Sequence, residues 1–382
     1  MQCQRHLFSL PSSQHYLNCA YMSPLLNSVQ EAGAAALKLK VSPADITGTD
    51  FFEPVETLRA SFGRLVNTSA DRVACIPAAS YGIAVAVHNT HLRAGQNVVV
   101  PADEFPSNVY GWMAACDRSG AELRLVGRPD GPPSASAWSS RVLEAIDGDT
   151  AAVTLTDIHW TDGTPFDVDA IGRRAREVGA LFVIDGTQSV GALPFDFDRL
   201  QPDLLVCAGY KWLLGPYQYG LIAVGDRLLD GEPFEHNWIN RKDSENFSNL
   251  SQYRREYGTG ARRYDTGERS NFILVAMLNE GLKQILSWDV TAIRDYCVGL
   301  SGDLQAALAD SPYGMAPAKD RSPHLFGIRV PDAEQLPALL EDLRRREVYV
   351  SQRGTSLRVS PHVYNTPEDL GALVEALRAA VP

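Results

Sequence analysis

The stretch from Leu181 to Pro216, LFVIDGTQSVGALPFDFDRLQPDLLVCAGYKWLLGP, contains two short apolar runs with no polar alternation, Leu181-Phe182-Val183-Ile184 and Leu204-Leu205-Val206-Cys207. Unbroken runs of this length, bounded by Gly and Pro, are what strands buried on both faces of a sheet require. A sheet of that kind must be covered by helices on either side. The first run stops on Asp185; the second gives way to small residues and then Tyr210-Lys211-Trp212. In open α/β sheets, ligands gather at the carboxyl ends of the strands. An acid and a lysine presented there suit an aldehyde cofactor with a pyridine ring. The lysine forms a Schiff base, and the aspartate keeps the ring nitrogen protonated so that the ring draws off electrons.

The rest of the chain supports a wound sheet. At 382 residues it has room for one large α/β domain and a smaller companion. A strand is expected over Arg72 to Pro77, followed by Ala78-Ala79-Ser80-Tyr81-Gly82 and an apolar helix over Ile83 to His91. A strand, small residues and a helix start together offer free backbone N–H groups to a phosphate. Ser80 is also a candidate N-cap. Further strands are expected at Asn97–Val100, Ala121–Val126, Ala151–Thr156 and Gln218–Val224, with helices between them. This alternation argues for a mainly parallel sheet. The strand ending at Thr156 delivers His159 and Trp160 to the ligand edge, His159 as a general base or hydrogen-bond partner of a cofactor ring oxygen, Trp160 as a pocket wall. A Pro/Gly/Ser-rich loop spans 128–136, and a long polar loop spans Glu235 to Gly267. Loops of that length inside a compact enzyme are functional or lie at interfaces.

Composition narrows the partners. A formal charge of −11 speaks against nucleic acid or an anionic membrane surface, and no apolar run approaches a membrane span. The six cysteines have no CxxC spacing and the eight histidines no HExxH cluster, so neither a disulfide framework nor a metal site is expected. Scattered thiols and the lack of a signal-peptide pattern point to the cytoplasm.

Asp185-Gly186-Thr187-Gln188-Ser189, followed by Ala208-Gly209-Tyr210-Lys211-Trp212, resembles the class V aminotransferase family of fold-type I pyridoxal-phosphate (PLP) enzymes. That family includes cysteine desulfurases, kynureninases, isopenicillin-epimerase-like proteins and several C–S lyases. The resemblance is strongest from Thr154 to Val224 and around Arg358-Val359-Ser360-Pro361-His362-Val363-Tyr364-Asn365-Thr366. It implies a fold-type I α/β architecture with three parts. These are an N-terminal arm (1–20), a large PLP-binding domain (21–290), and a small α+β C-terminal domain (291–382) that takes up part of the N-terminal segment.

The resemblance also assigns roles. Lys211 is the Schiff-base lysine and general base, Asp185 the partner of the ring nitrogen, and Gln188 a partner of the ring oxygen. Phe105 stacks on the ring, where cysteine desulfurases carry a proton-shuttling histidine. Ala79, Ser80, Tyr81 and Tyr210 reach the phosphate. Arg358 clamps the substrate carboxylate, as its planar fork allows, and Asn18 lies at the substrate mouth. The 235–267 loop is implied to cross to a partner subunit, giving a homodimer with shared active sites. A Gly-Thr pair that holds the phosphate in the family is Gly267-Glu268 here, which leaves Ser270, Arg262 and Arg263 as candidates for that contact.

These readings lead to a PLP enzyme acting at the α-carbon of a small amino-acid substrate. Transamination ranks first, β-elimination of the C–S lyase type close behind, and epimerisation third. Cysteine desulfurases carry a nucleophilic cysteine shortly before the arginine, and no cysteine follows Cys297 here, so desulfurase chemistry is not expected. A binding protein without turnover would have lost Lys211 or Asp185. A nicotinamide oxidoreductase would show a GxGxxG fingerprint.

Overall fold

The computed structural model describes residues 1–131 and 133–380. Residues 132, 381 and 382, which fall in the expected 128–136 loop and at the end of the expected C-terminal segment, lie outside the described residues. Seven strands form the main sheet, in the order Val73–Ile76, Gly220–Val224, Leu204–Ala208, Leu181–Asp185, Thr150–Thr156, Asn97–Pro101, Glu122–Val126. The two apolar runs pair directly and in parallel, with Val183 opposite Leu204 and Asp185 opposite Val206. Gly220–Val224 alone runs antiparallel to its neighbours. The strand ending at Ile76 therefore opens on the same edge as those ending at Asp185 and Ala208.

The side-chain period of two explains why the central strands Leu181–Asp185 and Leu204–Ala208 are apolar up to their carboxyl ends. Phe182 and Ile184 pack into one hydrophobic core, and Leu181 and Val183 into a second. The first core is closed by helices Gly48–Val66, Val168–Val178 and Phe272–Trp288. The second is closed by Ala79–His88 and Tyr110–Ser119. The helix read as starting at Ile83 begins at Ala79. Its N-cap is Ala78 rather than Ser80, which sits inside the first turn, and no side chain caps it.

A third core forms under a four-stranded antiparallel sheet, in the order Ser351–Arg353, Ser356–Val359, Phe326–Arg329, Gly314–Met315. Helices Val290–Ala307, Leu336–Arg345 and Pro367–Ala379 cover it. The N-terminal segment is tied to these residues. His15–Tyr16 pairs in parallel with Val348–Tyr349, and Asn18 bridges to Ser360. The long 235–267 segment forms short 3-10 turns at Phe247–Asn249 and Gly260–Tyr264 and an isolated antiparallel bridge between Arg241 and Tyr257. No helix among the described residues is long and apolar enough to cross a membrane.

Candidate active site

The carboxyl ends of the strands converge on a cavity of about 290 Å³. Of the residues singled out in the sequence, Ala79, Ser80, Phe105, Trp160, Asp185, Gln188, Tyr210 and Lys211 line it. Lys211 follows a tight backbone crossing. The Gly209 N–H donates to the Tyr219 carbonyl (2.9 Å), and a Cβ on Gly209 would lie 2.5 Å from that oxygen. Only glycine lets the chain turn there and still deliver the next two side chains into the cavity.

Lys211 is 6 % exposed, and its Nζ lies 5.5 Å from the Phe105 ring centroid and 5.5 Å from that of Tyr210. Burial, reinforced by Arg358, pulls its amine down to about 8 against the opposing pull of Asp185. About a tenth of the amine is then unprotonated at pH 7, far more than for an ordinary lysine with a pKa of about 10.4. Asp185 is 2 % exposed, and its Oδ1 accepts the Thr187 N–H at 3.0 Å. Burial raises its pKa, Thr187 hydrogen bonds and Lys211 opposing. Phe105 is held by its neighbour Glu104, whose carboxyl accepts the N–H groups of Phe105 and Thr156, each at 2.6 Å. Phe105 in turn packs edge-on against Trp160, ring centroids 5.4 Å apart.

Gln188 is less free than its motif suggests. Its Oε1 accepts the Trp212 indole N–H (3.0 Å), and its Nε2 donates to the Ala20 carbonyl (3.3 Å). One N–H of that amide is left over for a ligand. Arg358 is buried to 1 % exposure. One nitrogen donates to the Trp160 carbonyl (3.0 Å), while Nε and Nη2 are buried without partners. Asn18 stands beside this strand, its Oδ1 accepting the Ser351 hydroxyl at 2.8 Å.

Other expected residues stand elsewhere. His159 is fully buried but does not line the cavity. Its Nδ1 is 3.0 Å from Arg128 Nη2 and 2.8 Å from Thr161 Oγ1, and its ring packs 5.0 Å from Trp138. Burial, aided by Arg128, presses it down to about 4, and its ring is taken up in packing away from the cavity, unlike the expected position. Side chains alternate about the strand end, and the one that reaches the cavity is Trp160. Tyr81 turns outward on its helix, 41 % exposed and packed against Phe234. Ser270 donates to the Phe51 carbonyl and lines a separate cavity with Phe51, Trp238 and Glu268. Arg262 is paired with Glu56 and Asp71, and Arg263 with Asp230, so their charge is already met within the chain. Thr156, Thr187, Ser107 and Tyr217 also line the cavity and were not singled out. Strand-end position could have found Thr156, and the Asp185–Gln188 motif itself contains Thr187.

The donor set fits PLP. Asp185 is a buried carboxylate facing the cavity, with its charge penalised by burial, and a protonated ring nitrogen is the complement it lacks. Ala78, Ala79 and Ser80 bring to the same cavity a helix start that no side chain caps, which suits a phosphate. Lys211 supplies the unpaired amine.

Comparison with known proteins agrees. The model of the class V aminotransferase family matches residues 39–373. An uncharacterised aminotransferase, YcbU, of Bacillus subtilis is 26 % identical over 338 residues, covering 87 % of this chain and 86 % of that protein. A probable cysteine desulfurase of Methanothermobacter thermautotrophicus is 32 % identical over 168 residues, 44 % of this chain and 41 % of that protein. The fold superposes on a lysine-to-alanine mutant of C-DES with glycine covalently linked to its PLP cofactor. The TM-score is 0.87 at 17 % identity, covering 99 % of both chains. A complex of C-DES, a cystine C–S lyase, with its product cysteine persulfide gives a TM-score of 0.86 at 17 % identity, covering 97 % of this chain and 98 % of that one. With desulfurases among the relatives, the expected exclusion of desulfurase chemistry finds no support in these comparisons. The lysine, the buried aspartate and the matched length lead to one conclusion: the chain belongs to the class V aminotransferase family of PLP-dependent enzymes.

Proposed function

We propose that the enzyme labilises the α-proton of a small amino acid and transfers its amino group to a keto acid. The observation that carries this reading is the isolated Lys211 amine, lowered to about 8, between Phe105 and Tyr210 and close enough to Asp185 to feel its charge. When bound, PLP supplies an aldehyde that links covalently to amines and a protonated ring that draws electron density from the substrate α-carbon.

The chain's own residues do the rest. Asp185 holds a positive charge at the ring nitrogen. The backbone N–H groups of Ala79 and Ser80, and Tyr210, hold the phosphate. Phe105 covers a ring face, and Gln188 offers its remaining N–H to the ring oxygen. Arg358 binds the α-carboxylate through Nε and Nη2, the two nitrogens without partners. Lys211 Nζ takes the α-proton and returns it.

β-Elimination of the C–S lyase type is the second reading. It is favoured by Phe105, which cannot shuttle protons, and by His159 standing outside the cavity. We further read the chain as a large PLP-binding domain (21–290) with a smaller C-terminal one (291–382), working as a cytoplasmic homodimer. Six free thiols suit that compartment. The 235–267 segment, with Ser270 behind it, is the candidate contribution to the partner's phosphate site.

The test is an absorption spectrum of the purified protein with PLP, followed by an amino-acid panel. A visible band removed by borohydride and lost in Lys211→Ala is expected. Amino transfer to an added keto acid without ammonia release supports the first reading. Pyruvate and ammonia from a β-substituted amino acid support the second. A protein that stays colourless with PLP overturns both.

A further inference from the structure

A second arginine stands on the same face of the small sheet as Arg358, behind Trp160, and the family motif does not account for it. Arg353 ends the strand Ser351–Arg353, which pairs antiparallel with the strand carrying Arg358. Its guanidinium carbon lies 5.1 Å from the ring centroid of Trp160, the side chain that walls the cavity. Trp160 thus joins three things. Its ring lines the cavity and carries Arg353, its carbonyl accepts from Arg358, and its indole N–H is anchored to the Asp103 carbonyl at 2.7 Å.

Among the described residues, neither arginine has a counter-ion. The one hydrogen bond Arg353 makes among the described residues goes from Nη1 to the carbonyl of its neighbour Gln352 (2.6 Å), and its Nε is buried without a partner. Burial lowers both guanidiniums, and the Arg353 charge adds to the lowering of Arg358. Both charges also help to lower the Lys211 amine. Elsewhere this acidic chain pairs its arginines routinely, including the loop arginines 262 and 263. Two half-buried or buried guanidiniums side by side without an acid cost stability unless a ligand supplies the anions. One α-carboxylate satisfies one of them.

We propose that Arg353 is a receptor for a second anionic group, and that the substrate is an amino acid with a carboxylate or comparable anion on its side chain. This rests on the reading of the cavity as an amino-acid site with Arg358 on the α-carboxylate. The Trp160 face gives the substrate side chain an apolar surface to run along, with the guanidinium above it.

The experiment is a spectral titration of the PLP-loaded enzyme with L-aspartate, L-glutamate and L-cystine against L-asparagine, L-glutamine and L-alanine. Wild type, Arg353→Gln, Arg353→Lys and Arg358→Gln are compared. The wild type is expected to prefer at least one anionic side chain over its neutral counterpart. Arg353→Gln should cut that preference about 10- to 100-fold, the usual range for a charged hydrogen bond. Arg353→Lys, a point charge without the fork, should restore part of it. Arg358→Gln should weaken both classes together. Thermal stabilisation of the enzyme by succinate over butyrate, lost in Arg353→Gln, gives a readout that needs no turnover. Equal affinity for anionic and neutral amino acids in the wild type, or an unaltered preference in Arg353→Gln, overturns the inference while the cofactor band stays intact. A missing band fails the proposed function instead.

Discussion

Removing the carboxylate of Asp265 should cost this protein more than any change of similar size on its surface. Asp265 is 1 % exposed and lies between two arginines, Arg59 at 0 % and Arg269 at 2 %. It accepts Nη2 of Arg59, stands 3.1 Å from Nε of Arg269, and accepts the Cys75 N–H at 2.8 Å. Breaking a buried pair by deleting one partner costs about 3–5 kcal/mol, because the remaining charge is stranded. The freed Cys75 amide adds about 1–3 kcal/mol. Arg59 keeps a second acid, Glu56, at 3.1 Å, which places the expectation for Asp265→Ala at the lower end, about 4 kcal/mol. An unfolding entropy of about 2.1 cal/mol/K per residue turns that into a melting shift of about 5 °C for a chain this long. Circular-dichroism melts of the wild type, Asp265→Ala and Asp265→Asn measure it. The asparagine still accepts from Cys75 and should recover part of the loss. The strand held by this contact leads into Ala78–Ser80, so retention of PLP should fall in parallel. A shift below about 2 °C in the alanine variant would refute the reasoning.

Three further outcomes follow from the geometry. Burial holds His324 and His362 neutral, pushed down to about 4 and about 3. In the unfolded chain they take up protons near 6.5, so stability present above that pH should drop as pH falls towards 4, by up to about 1.4 kcal/mol per pH unit for each; urea midpoints against pH check it, and His362→Asn should flatten the slope. Arg358→Gln removes a cation that bears on Lys211, so the amine of the cofactor-free enzyme should titrate above the wild type's value of about 8, as read by the pH dependence of trinitrophenylation. Gly209→Ala would force a Cβ to 2.5 Å from the Tyr219 carbonyl, which should cost about 1–3 kcal/mol by thermal unfolding and loosen PLP by displacing Lys211.

The middle of the main sheet was legible because its two central runs are uniformly apolar. Phe182 and Ile184 feed one core and Leu181 and Val183 the other, so no position along the run could be polar. Asp185 and Lys211 stood out against that background for the same reason. The residues misplaced by the sequence reading share a different property. His159 and Tyr81 each sit next to a residue that lines the cavity, Trp160 and Ser80, and the direction of the side chain decides between cavity and elsewhere; Ser270 lies at a separate cavity. His159 was taken by Arg128 and Trp138, Tyr81 by Phe234, and Ser270 by the Phe51 carbonyl. Those partners lie 20 to more than 200 residues away in some cases, beyond the reach of local pattern.

The amino-acid sequence by itself determined the alternation of buried strands and covering helices, and the acid and the lysine at neighbouring strand ends. Each follows from a local rule of periodicity. Tertiary structure alone decided the pairing of His15–Tyr16 with Val348–Tyr349, the buried Arg59–Asp265–Arg269 contact, and the convergence of Arg353 and Arg358 on Trp160. These join segments from distant parts of the chain, and what brings them together is burial of the whole core, which no single segment encodes.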